Sequence, residues 1–446
     1  MSNILWNEKQ IEILESADIV ICGAGPAGIA AALAAREAGA EDKIVLIEQI
    51  GCLGGMGTAG LVPAFIHMTD GENILAAGIA KKVVDELAKR MQTEPNYHWM
   101  NIQPEILKCI YDEMIIQADI DLFLNLPVVD VIRKDSVIES IIVSTKNGLK
   151  AIIGKIFIDA TGDGNLCAWA GTPFEVGDEQ GRTMAPSLCV IYSGIDWNRY
   201  HQAVKQTGKG FRELWFEYVE SGQSPILEWH LPGIFPVGKQ IGTGNIGHIY
   251  SINCLDERDI TKGYLEGRRI AQIYFEFARK NVPGFENAEL TCTASLLSVR
   301  ETRRIIGEYI LNYADYQNRA SFEDEIGRFA YPIDIHASSA DAEDQKRVER
   351  ELTETRLGRG ESYGIPYRSL IPKTLRNTLV AGRCISTDRR MQSSIRVMPG
   401  CFITGQAVGV AAALAIKQKT DDVRNININE LRNILRQQKV YLPENK

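Results

Sequence analysis

Apolar positions along the chain fall into two rhythms. Short unbroken runs, such as Asp18-Ile-Val-Ile-Cys22 and residues 43–47, have the length and β-branched content of buried strands. Longer Ala-rich or three-to-four-spaced stretches predict helices at 26–38, 78–90, 104–118, 261–280 and 297–309. A further helix, rich in small residues, is expected at 399–417, and a short one at 165–170. Between them, β-rich runs at 128–133, 137–144 and 149–158 are separated by Asp135-Ser136 and Asn147-Gly148, which predicts a meander. Further strands are expected within 233–252 and at 377–381. The charge-rich run 338–359 reads as a solvated helix or a flexible loop. No repeat of solenoid period is present.

Composition narrows this picture. A chain of 446 residues holds two or three domains, and 45% apolar residues supply a large core. A net charge of −8 argues against a nucleic-acid footprint, and no basic run marks a membrane surface. Residues 1–15 mix Asn, Glu and Lys with isolated apolar residues and lack the apolar centre of a signal peptide. The longest apolar tract, 408–416, is too short to span a bilayer and reads as a buried helix. Nine cysteines without paired spacing suggest free thiols in a reducing cytoplasm. No zinc or iron–sulfur spacing is visible, so no metal is expected.

The strongest chemical signal is Gly23-Ala-Gly-Pro-Ala-Gly28, between the first apolar run and the first helix. The second run ends in Glu48, twenty positions beyond Gly28, which completes a βαβ dinucleotide fingerprint. Gly23 permits the tight turn, Gly25 lets backbone approach a pyrophosphate, and Gly28 lets helix and strand pack closely. Pro26 and Ala27 open the helix whose free N–H groups favour phosphate. Glu48 suits a ribose hydroxyl and repels a 2′-phosphate, which leaves FAD or NAD.

Other stretches carry two readings each. The Gly-rich segment 52–60 is either backbone packed on a ligand or an ordinary loop. The helix opened by Pro399-Gly400 is a tightly packed core helix, a helix whose N-terminus faces a flavin, or both. Arg300, Arg303 and Arg304 share one side of the expected helix, either to bind an anion or to pair with Glu301 and Glu308. His230 and His248 are candidates for proton transfer in the middle of the chain, ahead of His67 and His98. Cys52 has no redox partner four or five positions on and reads as a small buried residue.

Together, DIVICGAGPAGIAAALAAREAGA, LGGMGTAGLV, FIDATGDG, SVRETRRIIGEY, NTLVAGRCIS and MPGCFITGQAVGVAAALA resemble the FAD-dependent oxidoreductase family. That family shares its fold with the flavin domains of fumarate reductase and glutathione reductase. The resemblance implies an α/β fold: a Rossmann-like FAD-binding domain of glutathione reductase type, with an inserted α+β substrate domain. The expected division is 1–171 and 364–446 for FAD and 172–363 for substrate. It implies that Gly23, Gly25 and Gly28 hold the pyrophosphate and Glu48 the adenosine ribose. Gly54, Gly55 and Met56 would line the flavin side, and Val129 would meet adenine through its backbone. Gly162 and Asp163 would approach the adenosine half, Gly382 and Arg383 the ribityl chain, and Gly405, Gln406 and Ala407 the pyrimidine edge. No His stands near the double-Gly loop before His67, so non-covalent FAD is expected. The expected activity is hydride transfer between a small polar molecule and flavin N5. Arg300 or Arg304 would orient the substrate, and His230 or His248 would serve as acid or base. A flavin monooxygenase and a non-catalytic FAD scaffold are the rivals.

Overall fold

The computed structural model describes residues 10–39, 43–230 and 233–443. Of the expected signal-free N-terminal stretch, residues 1–9 lie outside the described residues. The central layer is a seven-stranded sheet. Its parallel part runs Asp121–Phe123, Ile44–Ile47, Glu12–Cys22, Gly148–Asp159, with Thr378–Val380 beside the end of Gly148–Asp159. Val137–Thr145 and Val128–Lys134 extend it as the antiparallel meander. Ile19, Val20, Ile21 and Cys22 are fully buried, as are Val45 and Leu46. Burial on both faces is what the unbroken apolar runs encode.

Two helices close one face. Pro26–Glu37 starts with Pro at its first turn, where no N–H bond is lost. Met398–Lys417 is apolar on every side and buried along nearly its whole length. By length and composition it is one helix that passes for a membrane span, but its apolar window is 94% buried in this protein. The two helices approach to backbone contact. A Cβ on Gly405 would meet the carbonyl of Ala27 at 2.1 Å, and one on Gly409 the carbonyl of Ala31 at 2.1 Å.

A second core gathers residues between Leu188 and Leu297 with Leu61. Its antiparallel sheet runs Ile234–Gly238, Ile241–Gly244, Val190–Ser193, Glu289–Thr293. Helices Trp197–Thr207, Phe211–Glu220 and Glu257–Asn281 cover it with Trp215, Phe211, Tyr274 and Phe277. Ile305, Leu311, Tyr316, Phe329 and Ile333, further along, pack into the first core instead.

One expected element is absent. Residues 297–309 form no helix: Ser298 bridges to Ser187, and Arg303–Ile305 pairs with Phe174–Val176. Val299, Thr302, Ile305 and Ile306 are β-branched and suit extended backbone. The three arginines therefore do not share one face. The charge-rich run contains the helix Ala342–Glu354, capped by Asp341, whose carboxylate accepts from Asp344 N. The helix expected from 261 begins at Glu257, because Asp256 accepts from the N–H groups of Arg258 and Asp259.

Candidate functional site

A cavity of about 800 Å³ runs from the Gly23 turn into the space between the two cores. Its first end is built by the strand–turn–helix unit. Gly23 has φ +94°, and a Cβ there would lie 2.4 Å from the Ala160 carbonyl. A Cβ on Gly25 meets nothing within 4 Å, so the turn borders open space beside the helix N-terminus. Gly28 does a different job: its Cβ would meet the Gly23 carbonyl at 1.8 Å, so it sets the packing of the turn and lies off the cavity. Glu48 is buried and accepts from Ala24 N at 2.8 Å and Ile50 N at 3.1 Å. Burial raises its pKa against those two amides. Pro26, Ala27 and Val128 complete this end.

The waist is formed by three loops. Gly54, at φ +97°, donates its N–H to Ala24 O, and a Cβ on Gly55 would lie 3.2 Å from the Gly25 Cα. Gly55 and Met56 line the cavity; Gly54 is turned toward Tyr111 and Thr58. Also on the wall, Asp163 accepts from Arg383 Nη2 at 2.5 Å and from Thr302 Oγ1 at 2.6 Å. Gly162 and Gly382, both at positive φ, let this pair reach the wall.

The far end is polar. His248 Nδ1 stands 3.0 Å from Glu228 Oε2, and its Nε2 stands 2.7 Å from His336 Nδ1. His336 Nε2 lies 3.4 Å from Asp334, which also holds Arg396 at 3.0 Å. Burial works against the charge on Glu228, but the His248 ring and backbone N–H hold its pKa below the usual carboxylate range. Burial pushes the His230 pKa down to about 3, with His248 adding to the shift. Burial, then the Arg300 charge, holds His336 neutral. Arg300 donates to Ala185 O at 2.7 Å and Ser187 Oγ at 3.1 Å. Among the described residues no carboxylate pairs with it, and burial followed by Arg396 lowers its pKa to about 10. Arg356, Tyr331 and His67 close the wall.

The geometry thus gathers Gly23, Gly25, Pro26, Ala27, Glu48, Gly55, Met56, Gly162, Asp163, Gly382, Arg383, Arg300, His230 and His248 around one space. Others stand elsewhere. Arg304 pairs at 2.6 Å with Glu301, a buried carboxylate that also takes Arg389. Val129 is exposed, and its neighbour Val128 faces the cavity. Gly405 and Ala407 are packed between helices, and Gln406 accepts from Ile79 N and donates to Gln438. The turns nearer the start of that helix, Val397, Met398 and Cys401, reach the wall instead. Cys52 is half-buried with its thiol pKa raised by burial. Sequence reasoning did not single out Glu228, Asp334, His336, Arg356 or Arg396. No motif spacing announces them, since His248 meets Glu228 and His336 only across long stretches of chain.

Among solved structures the chain is similar to a geranylgeranyl bacteriochlorophyll reductase-like protein from Thermoplasma acidophilum. The two are 11% identical over 95% of this chain and 82% of that one, with a TM-score of 0.47. It is also similar to the p-nitrophenol 4-monooxygenase PnpA from Pseudomonas putida, 11% identical over 94% and 84%, with a TM-score of 0.46. No curated protein matches the chain. The FAD dependent oxidoreductase family matches residues 18–435, from the first buried strand to the last helix. With nearly the whole chain inside that match, this protein belongs to the FAD-dependent oxidoreductases, and FAD is the cofactor of the enzyme.

Proposed function

We propose that the enzyme moves a hydride between flavin N5 and a small anionic or polar organic molecule held at the far end of the cavity. The observation that carries this reading is Arg300, a buried guanidinium with no carboxylate partner among the described residues, beside the imidazoles of His230, His248 and His336. A guanidinium held in that way favours a carboxylate or another anionic oxygen as its missing partner. Bound FAD supplies the two-electron acceptor or donor, and the residues of the chain place the reacting C–H and take care of the proton.

In this reading Gly23, Gly25 and the start of helix Pro26–Glu37 hold the pyrophosphate, and Glu48 faces the ribose. Gly28 and Gly54 act at one remove, by fixing the turn and the double-Gly loop. Gly55, Met56, Gly162, Asp163, Gly382 and Arg383 border the rest of the cofactor. FAD is held without a covalent bond. Arg300 orients the substrate, while His248, backed by Glu228, sits at the proton-handling end. The fold is of glutathione reductase type, with the unit around Leu188–Leu297 as the inserted substrate side.

The test begins with the purified yellow protein under anaerobic conditions, screened against hydroxy acids, keto acids, polyols and unsaturated acids. Bleaching by a member of an anionic class, lost in Arg300→Ala, is the expected result. Turnover that Arg300→Ala leaves unchanged would remove the anion role. A product carrying an atom of O₂ would mark a monooxygenase instead.

A further inference from the structure

The three imidazoles at the far end of the cavity form a close cluster whose tautomers are set by the carboxylates behind them. Their ring centres lie 4.6 Å (His230–His336), 4.9 Å (His230–His248) and 5.0 Å (His248–His336) apart. A neutral imidazole carries one N–H, and the partner of one nitrogen decides which atom has it. Glu228 accepts only, and its two oxygens stand 3.0 and 3.2 Å from His248 Nδ1. The proton of His248 is therefore drawn to Nδ1, and Nε2 presents a lone pair. Asp334 Oδ2 lies at the longer ion-pair distance of 3.4 Å from His336 Nε2, and its charge favours the proton of that ring on Nε2. Its Nδ1 is then a lone pair as well. These two lone pairs face each other at 2.7 Å. His230 contributes a third imidazole, whose buried Nδ1 has no hydrogen-bond partner among the described residues.

Convergent lone pairs in a buried place call for a cation between them. Carboxylates behind the outer nitrogens of ligating imidazoles are the usual outer support of a metal centre. One nitrogen from each of the three rings lies within 4.8 Å of the other two. Nitrogens bound at about 2.0–2.1 Å to one tetrahedral ion stand roughly 3.3 Å apart. The facing pair would open by several tenths of an ångström, and His230 would move inward.

We propose that His230, His248 and His336 bind one divalent first-row transition metal ion of the zinc or iron class. Three protein ligands leave a coordination position open. The three rings and Arg300 line the same cavity, so the open position takes a hydroxyl, carbonyl or carboxylate oxygen of an anionic substrate. Glu228 and Asp334 offset the charge of the ion, and an anionic substrate offsets that of Arg300. The inference keeps the flavin part of the proposed function. It changes the proton-handling part, because a metal-bound hydroxyl loses its proton more readily than a free one.

The test uses the FAD-bound protein, purified without chelator and with any affinity tag removed. Bound zinc, iron, manganese, cobalt, nickel and copper are counted by mass spectrometry. Zinc binding to chelator-treated holoprotein is then titrated by calorimetry. One equivalent per chain is expected in the wild type. His336→Ala loses it, and Glu228→Gln weakens zinc binding about 10–100-fold, while the flavin absorbance of both stays. Should His336→Ala lose its flavin, His230→Gln decides the matter, because its Nδ1 has no hydrogen bond to break among the described residues. Wild-type holoprotein that takes up no more zinc than His230→Gln overturns the proposal; the facing pair then shares a proton. Flavin bleaching by substrate is read separately, so the metal can fail while the hydride reading stands.

Discussion

Arg300 keeps its charge in the interior on two neutral acceptors, a carbonyl and a hydroxyl. A buried charge with no carboxylate in hydrogen-bond contact among the described residues is a standing cost to the fold, even with Asp334 and Glu228 near. Arg300→Met should therefore leave the thermal midpoint of the substrate-free enzyme unchanged or raise it. The same variant should raise KM for an anionic substrate by roughly 10–100-fold, the loss of one or two charge-assisted hydrogen bonds. A lower midpoint with KM unmoved would make Arg300 a structural residue. His67 offers a second single-residue test. It sits at φ +54° against His98 and Tyr331, and burial, then His98, pushes its pKa down from 6.5 to about 4. As pH falls from 6.5 towards 4 the unfolded chain takes up a proton there before the folded one does. Stability is thus full above that window and falls through it, by about 3 kcal/mol at most for this group. Denaturant midpoints of His67→Asn, which tolerates the positive φ, should fall less steeply across the window than those of the wild type. Sequence legibility at this scale followed distance along the chain. Gly23, Gly25 and Glu48 belong to one local unit and could be read from spacing. His230 and His248 stood out by residue type alone. Glu228, Asp334 and His336 gain their meaning only when two cores meet.

At the level of elements, the helix pair Pro26–Glu37 and Met398–Lys417 sets the tolerance of the nucleotide end. Gly405 and Gly409 give the close approach, with a carbonyl 2.1 Å from each missing Cβ. Gly409→Ala should lower stability by about 1–3 kcal/mol, the usual range for overpacking, measured by urea unfolding of the holoprotein. An unchanged midpoint would mean that the helices can part without loss. The meander and the parallel strands were readable because each carries its own rhythm and turn residues. The stretch 297–309 was not. Its charges have helical spacing, but Ser187, Phe174 and Val176 offer strand partners from distant sequence, and these win.

At the scale of the molecule, the two hydrophobic cores predict two unfolding units. Hydrogen exchange on the holoprotein should show amides of Pro26–Glu37 and Met398–Lys417 opening together and last. Amides of the sheet containing Val190–Ser193 and Glu289–Thr293 should open separately and sooner. A single common rate for all four segments would argue for one cooperative body.

The pairing of Pro26–Glu37 with Met398–Lys417 also has a consequence for synthesis. During translation the first of these helices leaves the ribosome before residues 38–397 are made, and its covering neighbour follows only after them. The nascent protein must therefore carry an uncovered greasy face while residues 38–397 are being added, a state prone to sticking and suited to capture by holding chaperones. A ribosome that stalls before residue 398 yields an open half-shell, and no smaller working enzyme.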